Sequence, residues 1–281
     1  MKVVVTGASG RIGAYATREL LQAGHEVICV DVASLRSIPC PVLRADLTDA
    51  GQVYGALAGA DAVVHMGAWA NAGMVPNTRT YADNTSGTYN VLQACADLGI
   101  RRVVCASSAQ VYGFAGHAPV FVPADESHPL RPLNCYALSK MAGEQAVDYF
   151  RCRYGLEAVS FRIMGARAPA EMDANVERIA ADPSADTGLL WTRVDARDVA
   201  RAARLALEAP ALEPGPYNIT GARVVIDQDS AALVRAHCGP EVEVRPGLDG
   251  RASPLTCARA ERVFGYRPRY IWTLDQRHPE T

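Results

Sequence analysis

Lysine is almost missing from this 281-residue chain: of its 28 Lys+Arg residues, only Lys2 and Lys140 are lysines. Other absences narrow the possibilities further. No charge excess exists, with a formal net charge of −2 and a pI near 6.3, so neither a nucleic-acid partner nor binding to an anionic membrane is expected. No apolar run approaches the ~20 residues needed to cross a bilayer. The amino-terminal "MKVVVTGASG" runs straight into a strand and a glycine turn, leaving no room for a signal peptide. The cysteines (Cys29, Cys40, Cys95, Cys105, Cys135, Cys152, Cys238 and Cys257) form no C-x-x-C pair, and several sit in apolar stretches such as "VICV" and "VVCAS". They are expected to be reduced core thiols of a cytoplasmic protein rather than disulfides. The six histidines stand at no metal-ligand spacing, so no metal site is expected. His65 reads as a packed strand-end residue and His25 as a surface turn residue.

What is present is a full core: 49% of residues are hydrophobic and 21% charged, the balance of a globular protein. The first 160 or so residues alternate short apolar runs with amphipathic segments. Strands are expected at 2–6, 26–31, 41–47, 61–66, 101–108 and 156–163, with helices near 11–23, 49–58, 81–98 and 135–155. Such alternation implies an α/β fold with a parallel sheet covered on both faces. Beyond Gly165 the pattern loosens. Residues 166–188 read as a loop with a short helix, followed by a helix at 195–209, a strand at 217–220, a helix from 227, a strand at 241–246 and the segment 256–266. The expected division is therefore 1–165, a nucleotide-binding domain, and 166–281, a small substrate-binding lobe with some segments returning to the main sheet.

"VVVTGASGRIG" places Gly7, Gly10 and Gly13 between a strand and a helix. Gly7 allows the tight turn, Gly10 lets the backbone approach a pyrophosphate, and Gly13 lets helix pack on strand, with the helix N-terminus facing the anion. The second strand ends at Asp31, 18 residues after Gly13, where an acid accepts hydrogen bonds from ribose hydroxyls and repels a 2′-phosphate. A dinucleotide is implied, NAD in preference to NADP, with Arg11 and Arg36 keeping NADP as the alternative.

The lysine at 140 lies four residues after Tyr136 in "NCYALSK", on the same face of a helix. A tyrosine titrates at about 10 in water, and lowering that by roughly two units takes ~2.7 kcal/mol of preference for the phenolate. An ammonium ~5 Å away supplies about 3 kcal/mol at an effective dielectric near 20. Arginine carries the same charge on a bulkier planar fork, so a chain that otherwise uses arginine keeps lysine where a compact charge must fit. About 25 residues upstream, "VVCASSAQVYG" ends a strand with Ser107 and Ser108, and strand carboxyl ends are where ligands bind in such sheets.

Together these stretches resemble the extended short-chain dehydrogenase/reductase family, the NAD-dependent epimerase/dehydratase group. The resemblance runs from Lys2 to about Ile163 and rests on "TGASGRIG", Asp31, "ADL" with Asp46, "HMGA" at 65–68, "NTSGTYNVLQA" from Asn84, "SSAQVYG" and "YALSK". It implies a Rossmann-type doubly wound sheet with a small carboxyl-terminal lobe. It implies Ser108, Tyr136 and Lys140 as the catalytic triad, supported by Asn84 through a helix irregularity or a bound water. Tyr136 and Lys140 would also touch the cofactor. Gly7, Gly10, Arg11, Ile12, Gly13 and Asp31 would hold the dinucleotide, with Asp46 and Leu47 beside the adenine. Met66, Gly67 and Ala68 would line the pyrophosphate and nicotinamide side. A sugar or sugar-nucleotide substrate, redox at its secondary hydroxyl and a homodimer are further implications.

Departures from the family pattern concern the substrate. Ser108 is followed by Ala109 and Gln110 rather than the Asp-Glu pair typical of 4,6-dehydratases. Trp191 stands where many sugar-nucleotide epimerases carry an arginine, and "FRIMGARAP" resembles the uronate-dehydrogenase branch, which acts on free sugars. Arg245 in "VRPG" is the remaining candidate for a diphosphate or other substrate contact. Two enzyme readings follow: epimerisation through a transient ketone, taken first, and net oxidation or reduction of a free sugar. A non-catalytic dinucleotide sensor is the third, disfavoured by the retained Ser108, Tyr136 and Lys140.

Overall fold

The computed structural model describes residues 1–33 and 40–279. Strand and helix alternate through β1 (Lys2–Thr6), α1 (Arg11–Gln22), β2 (Glu26–Asp31), β3 (Val42–Arg44), α2 (Ala50–Leu57), β4 (Ala62–His65), α3 (Asn77–Leu98) and β5 (Arg102–Ser108). Then come β6 (Phe121–Val122), α4 (Cys135–Tyr154), β7 (Glu157–Ile163), α5 (Pro169–Ala181), α6 (Ala196–Glu208), β8 (Pro216–Ile219), α7 (Ser230–His237), β9 (Glu243–Val244) and α8 (Ala258–Phe264). Seven strands form one mostly parallel sheet in the order β3-β2-β1-β4-β5-β7-β8. The order reverses at β1, which pairs in parallel with β2 on one side and β4 on the other. This is the doubly wound arrangement, and ligands bind outside the strand carboxyl ends at such a reversal. Val3, Val4, Val5, Val63 and Val64 have no exposed surface, as expected where helices cover both faces of a parallel sheet. Among the described residues, no helix is long and apolar enough to cross a membrane.

The chain divides into two compact units whose segments interleave. One comprises 1–107, 134–161 and 200–216, and the other 108–133, 162–199 and 217–281. A single cut after residue 165 does not describe this division, because the chain leaves the first unit after Ser107 and returns to it at Asn134 and again at Ala200. The first unit carries the glycine turn, Tyr136 and Lys140, with a core that includes Val30, Val91, Leu92, Val103 and Phe150. The second carries Ser108, Trp191 and Arg245.

Several boundaries moved for local reasons. α3 begins at Asn77, directly after Pro76, four residues before the expected start at 81; its first turn is polar and gives no periodic signal. The stretch expected to be mostly loop holds α5, a 13-residue helix. Pro169 starts it, Glu171 Oε2 accepts from the Ala168 amide at 2.8 Å, and Met172, Val176 and Ile179 bury one face. The strand expected at 241–246 shrinks to β9, which pairs in parallel with β6 inside the second unit.

Candidate active site

The glycine turn separates two kinds of glycine. At Gly7, φ is +66° and a Cβ would come within 2.5 Å of the Gly67 nitrogen; at Gly13, it would lie 2.1 Å from the Gly7 carbonyl oxygen. Both glycines are demanded by the protein's own packing. At Gly10 a Cβ would meet only the Gly7 oxygen, at 3.2 Å, and Gly10, the N-cap of α1, lines a cavity. No side chain caps α1, so the first-turn amides are left for an anion. Gly13→Ala is expected to destabilise the protein by about 1–3 kcal/mol, read as a lower thermal midpoint; an unchanged midpoint would contradict the packing argument.

In front of this turn lies a cavity of about 850 Å³. Gly7, Gly10, Arg11, Ile12, Gly13, Asp31, Asp46, Leu47, Met66, Gly67 and Ala68 all line it, with Asn84 at one end. Those eleven are every residue that the sequence assigns to the cofactor apart from Tyr136 and Lys140. Both acids are partly occupied by the protein. Asp31 Oδ2 accepts from the Ser9 amide at 2.9 Å and the Ser9 hydroxyl at 2.7 Å, and Oδ1 from the Ala33 amide at 3.0 Å. Asp46 Oδ1 accepts from the amide and hydroxyl of Thr48 at 2.9 and 2.8 Å, which shapes the turn presenting Leu47. Arg36 lies outside the described residues.

α4 places the acid–base candidates. Asn134 caps it, its Oδ1 accepting from the Ala137 amide at 2.8 Å, so Tyr136 sits in the first turn and Lys140 one turn later. Tyr136 is 7% exposed and Lys140 6%. Lys140 Nζ lies 5.8 Å from the centre of the Tyr136 ring and donates to the Ala106 carbonyl at 2.8 Å. An ammonium has three protons to donate; among the described residues only the Ala106 carbonyl accepts one. Burial pushes the Lys140 pKa down to about 8, with Cys105 opposing weakly. His65 is held neutral, its pKa lowered to about 3 by burial and then by Lys140. Its ring nitrogens lie 2.7 Å from Thr6 Oγ1 and 3.2 Å from Thr88 Oγ1. It is the packed strand-end residue the sequence suggests.

Folded Lys140 releases its proton near pH 8 and the unfolded side chain near 10.5. Between those values the unfolded chain binds more protons, so stability rises with pH across the window, by on the order of 3 kcal/mol in total. Below pH 8 the contribution is lost. Urea titrations at pH 7.5 and 10 are expected to show this gain in the wild type and not in Lys140→Met; parallel pH dependences in the two would contradict the burial argument.

Three neighbours missed by the sequence reading brace this constellation. Asn84 Oδ1 accepts from the Trp69 amide at 2.8 Å, while its Nδ2 donates to the Trp69 carbonyl and to Ser139 Oγ, each at 3.1 Å. Ser139 in turn donates to the Tyr136 carbonyl at 2.7 Å. The support expected from Asn84 is therefore a direct bridge from the loop after β4 to the first turn of α4, and α3 runs unbroken through it. Glu144, buried, accepts from Ser107 Oγ at 2.6 Å. With the Lys140–Ala106 bond this bolts the end of β5 to α4 at two points, just before Ser108. Spacing could have found Glu144, four residues beyond Lys140 on the same face. Ser139 and Trp69 gave no such signal.

In the second unit, Ser108 is buried, and its Oγ accepts from the Gln110 amide at 3.2 Å. Arg245 is forked onto Glu243 at 3.1 and 3.0 Å and lies over the Phe121 ring, 3.4 Å from its centre. Trp191 is fully buried and donates Nε1 to the Pro183 carbonyl at 2.7 Å. Arg193, two residues on, is buried in a bidentate pair with Asp186 at 2.6 and 3.0 Å.

Comparison with known proteins places the chain. A UDP-glucose 4-epimerase of Streptomyces lividans is 32% identical over 59% of this chain and 53% of its own length. A uronate dehydrogenase of Pseudomonas putida is 31% identical over 58% of this chain and 60% of its own. The matched stretch thus spans about half the length of the first and somewhat more of the second. A solved short-chain dehydrogenase/reductase superfamily protein from Agrobacterium tumefaciens, with bound NAD, superposes with a TM-score of 0.75 at 25% identity, over 98% of this chain and 94% of that one. The family model described as NAD-dependent epimerase/dehydratase matches residues 3–220, and the chain belongs to that family.

Proposed function

We propose that the protein carries out NAD-dependent oxidation or reduction at a hydroxyl of a sugar, with Tyr136 as the proton acceptor. The observation that carries this reading is the buried pair on α4, a tyrosine ring with an ammonium 5.8 Å from its centre. A positive charge beside a phenolate favours it over the neutral phenol. NAD, when bound, supplies the hydride acceptor. The uncapped start of α1 and Gly10 would take its pyrophosphate, and the two spare donors of Lys140 are available to ribose hydroxyls. Tyr136 takes the sugar hydroxyl proton as the carbonyl forms, and Ser108 would hydrogen-bond the reacting oxygen.

Among substrates, net oxidation of a free sugar or sugar acid is favoured over epimerisation of a sugar nucleotide. Trp191 offers no hydrogen bond to a diphosphate, having spent its only donor on Pro183, and Arg245 is already paired with Glu243. The likeness to a uronate dehydrogenase supports this choice. The second reading, epimerisation through a transient ketone, is supported by the likeness to a UDP-glucose 4-epimerase. Calorimetric titration with UDP, NAD present, separates them: no detectable heat is expected, and micromolar binding would favour the sugar nucleotide. A homodimer and a cytoplasmic setting belong to the same proposal. The exposed Tyr81, Tyr89, Tyr149 and Tyr154 of α3 and α4 offer a second copy an aromatic face.

A further inference from the structure

We propose that Arg44, with Ser9 beside it, forms a 2′-phosphate contact at the adenosine end of the cavity, so that the protein takes NADP as well as NAD. This rests on the dinucleotide reading above and concerns the one group that separates the two cofactors.

β2 and β3 run parallel, and Asp31 stands opposite Arg44 in their register. Residues so paired project to the same side of a sheet. Both line the cavity, as does Ser9. An acid at the end of the second strand ordinarily selects NAD by accepting from both ribose hydroxyls and repelling a phosphate. Here Asp31 is largely spent on the protein. It accepts three hydrogen bonds, two from Ser9 and one from Ala33. A carboxylate offers about four lone-pair sites, which leaves about one for two hydroxyls.

Arg44 is in the opposite condition. It is exposed, and among the described residues its guanidinium has no hydrogen-bond or ion-pair partner. Even Asp31 is not paired with it. The other arginines of the cavity are placed elsewhere. Arg11 opens α1 at the glycine turn, and Arg79 is anchored through Nε on Asp83 at 3.1 Å. A planar fork with free donors suits a phosphate bidentately, and its charge offsets the repulsion from Asp31. The Ser9 hydroxyl, whose proton goes to Asp31, keeps lone pairs that a protonated phosphate oxygen can use.

The test uses adenosine fragments and the full chain, without turnover. Calorimetric titration compares 2′,5′-ADP with 5′-AMP, which lacks only the 2′-phosphate. In the wild type the two are expected to bind within about tenfold of each other. Arg44→Ala is expected to weaken 2′,5′-ADP by about tenfold or more, to change 5′-AMP by less than twofold, and to leave the thermal midpoint in place, since the side chain is exposed. Equal weakening of both fragments would assign Arg44 to the adenine and overturn the proposal, as would no weakening of either. Wild-type binding of 5′-AMP alone would also overturn it while leaving the dinucleotide reading intact. Failure of both fragments to bind would remove that reading and the proposal together.

Discussion

Tyr136→Phe is expected to bind NAD as tightly as the wild type and to turn over at least about 10²-fold more slowly, the scale of general acid–base catalysis. The substitution removes one oxygen from a ring that is 7% exposed and leaves packing on α4 unchanged. Asn134 still caps the helix and Ser139 still holds the Tyr136 carbonyl, because both bonds use backbone or neighbouring side chains. Cofactor affinity should hold, since the glycine turn, Asp31 and the uncapped start of α1 supply it. Steady-state rates with parallel nucleotide titrations check this. A loss below tenfold would take the role of base away from Tyr136, and a matching loss of NAD affinity would make the residue a binding group instead.

Lys140→Arg is expected to lose about 10²-fold in rate although the charge is kept. Nζ is fixed by the Ala106 carbonyl at 2.8 Å in a site that is 6% exposed. A guanidinium cannot occupy that point without pushing Ala106, and β5 is bolted at the next residue by Ser107 and Glu144. Overpacking there costs about 1–3 kcal/mol of stability. A misplacement of about 1 Å at such a site can lower the rate 10²-fold. Lys140→Met, close in volume and uncharged, separates the two effects: its fold should be at least as stable as the wild type's below pH 8, yet its rate should fall at least as far. Circular-dichroism melts and rates on both variants check this. Near-wild-type turnover in Lys140→Arg would show that any cation serves and would end the compact-charge argument.

Much of the fold was legible because its signals are local. β1 and β2 are short runs such as "VVVT" that a two-sided burial requires, and Gly7 and Gly13 mark a turn whose close contacts no other residue tolerates. The α4 pair was legible because one helical turn brings Tyr136 and Lys140 together whatever the tertiary structure does. The start of α3 was hidden because its first turn is polar. α5 was expected only as a short helix within a loop, because Pro169 and small residues mask its extent, although its Pro–Glu start and the Met172, Val176, Ile179 spacing carry a signal. The occupation of Asp31 by Ser9 was not legible at all: two residues 22 positions apart meet only once β1 and β2 are paired. The same holds for the Asn84 bridge to Ser139, 55 positions away, and for the interleaving of the two units.

The central claim is tested most directly by mixing purified protein with NAD and a panel of free sugars and uronic acids and following the absorbance of reduced nicotinamide. The predicted result is a steady rise with at least one free sugar or sugar acid, abolished in Tyr136→Phe while NAD binding persists. No rise with any free sugar, together with interconversion of a UDP-hexose in the same preparation, would contradict net oxidation of a free sugar. An equal rise in the wild type and in Tyr136→Phe would contradict the assignment of the base.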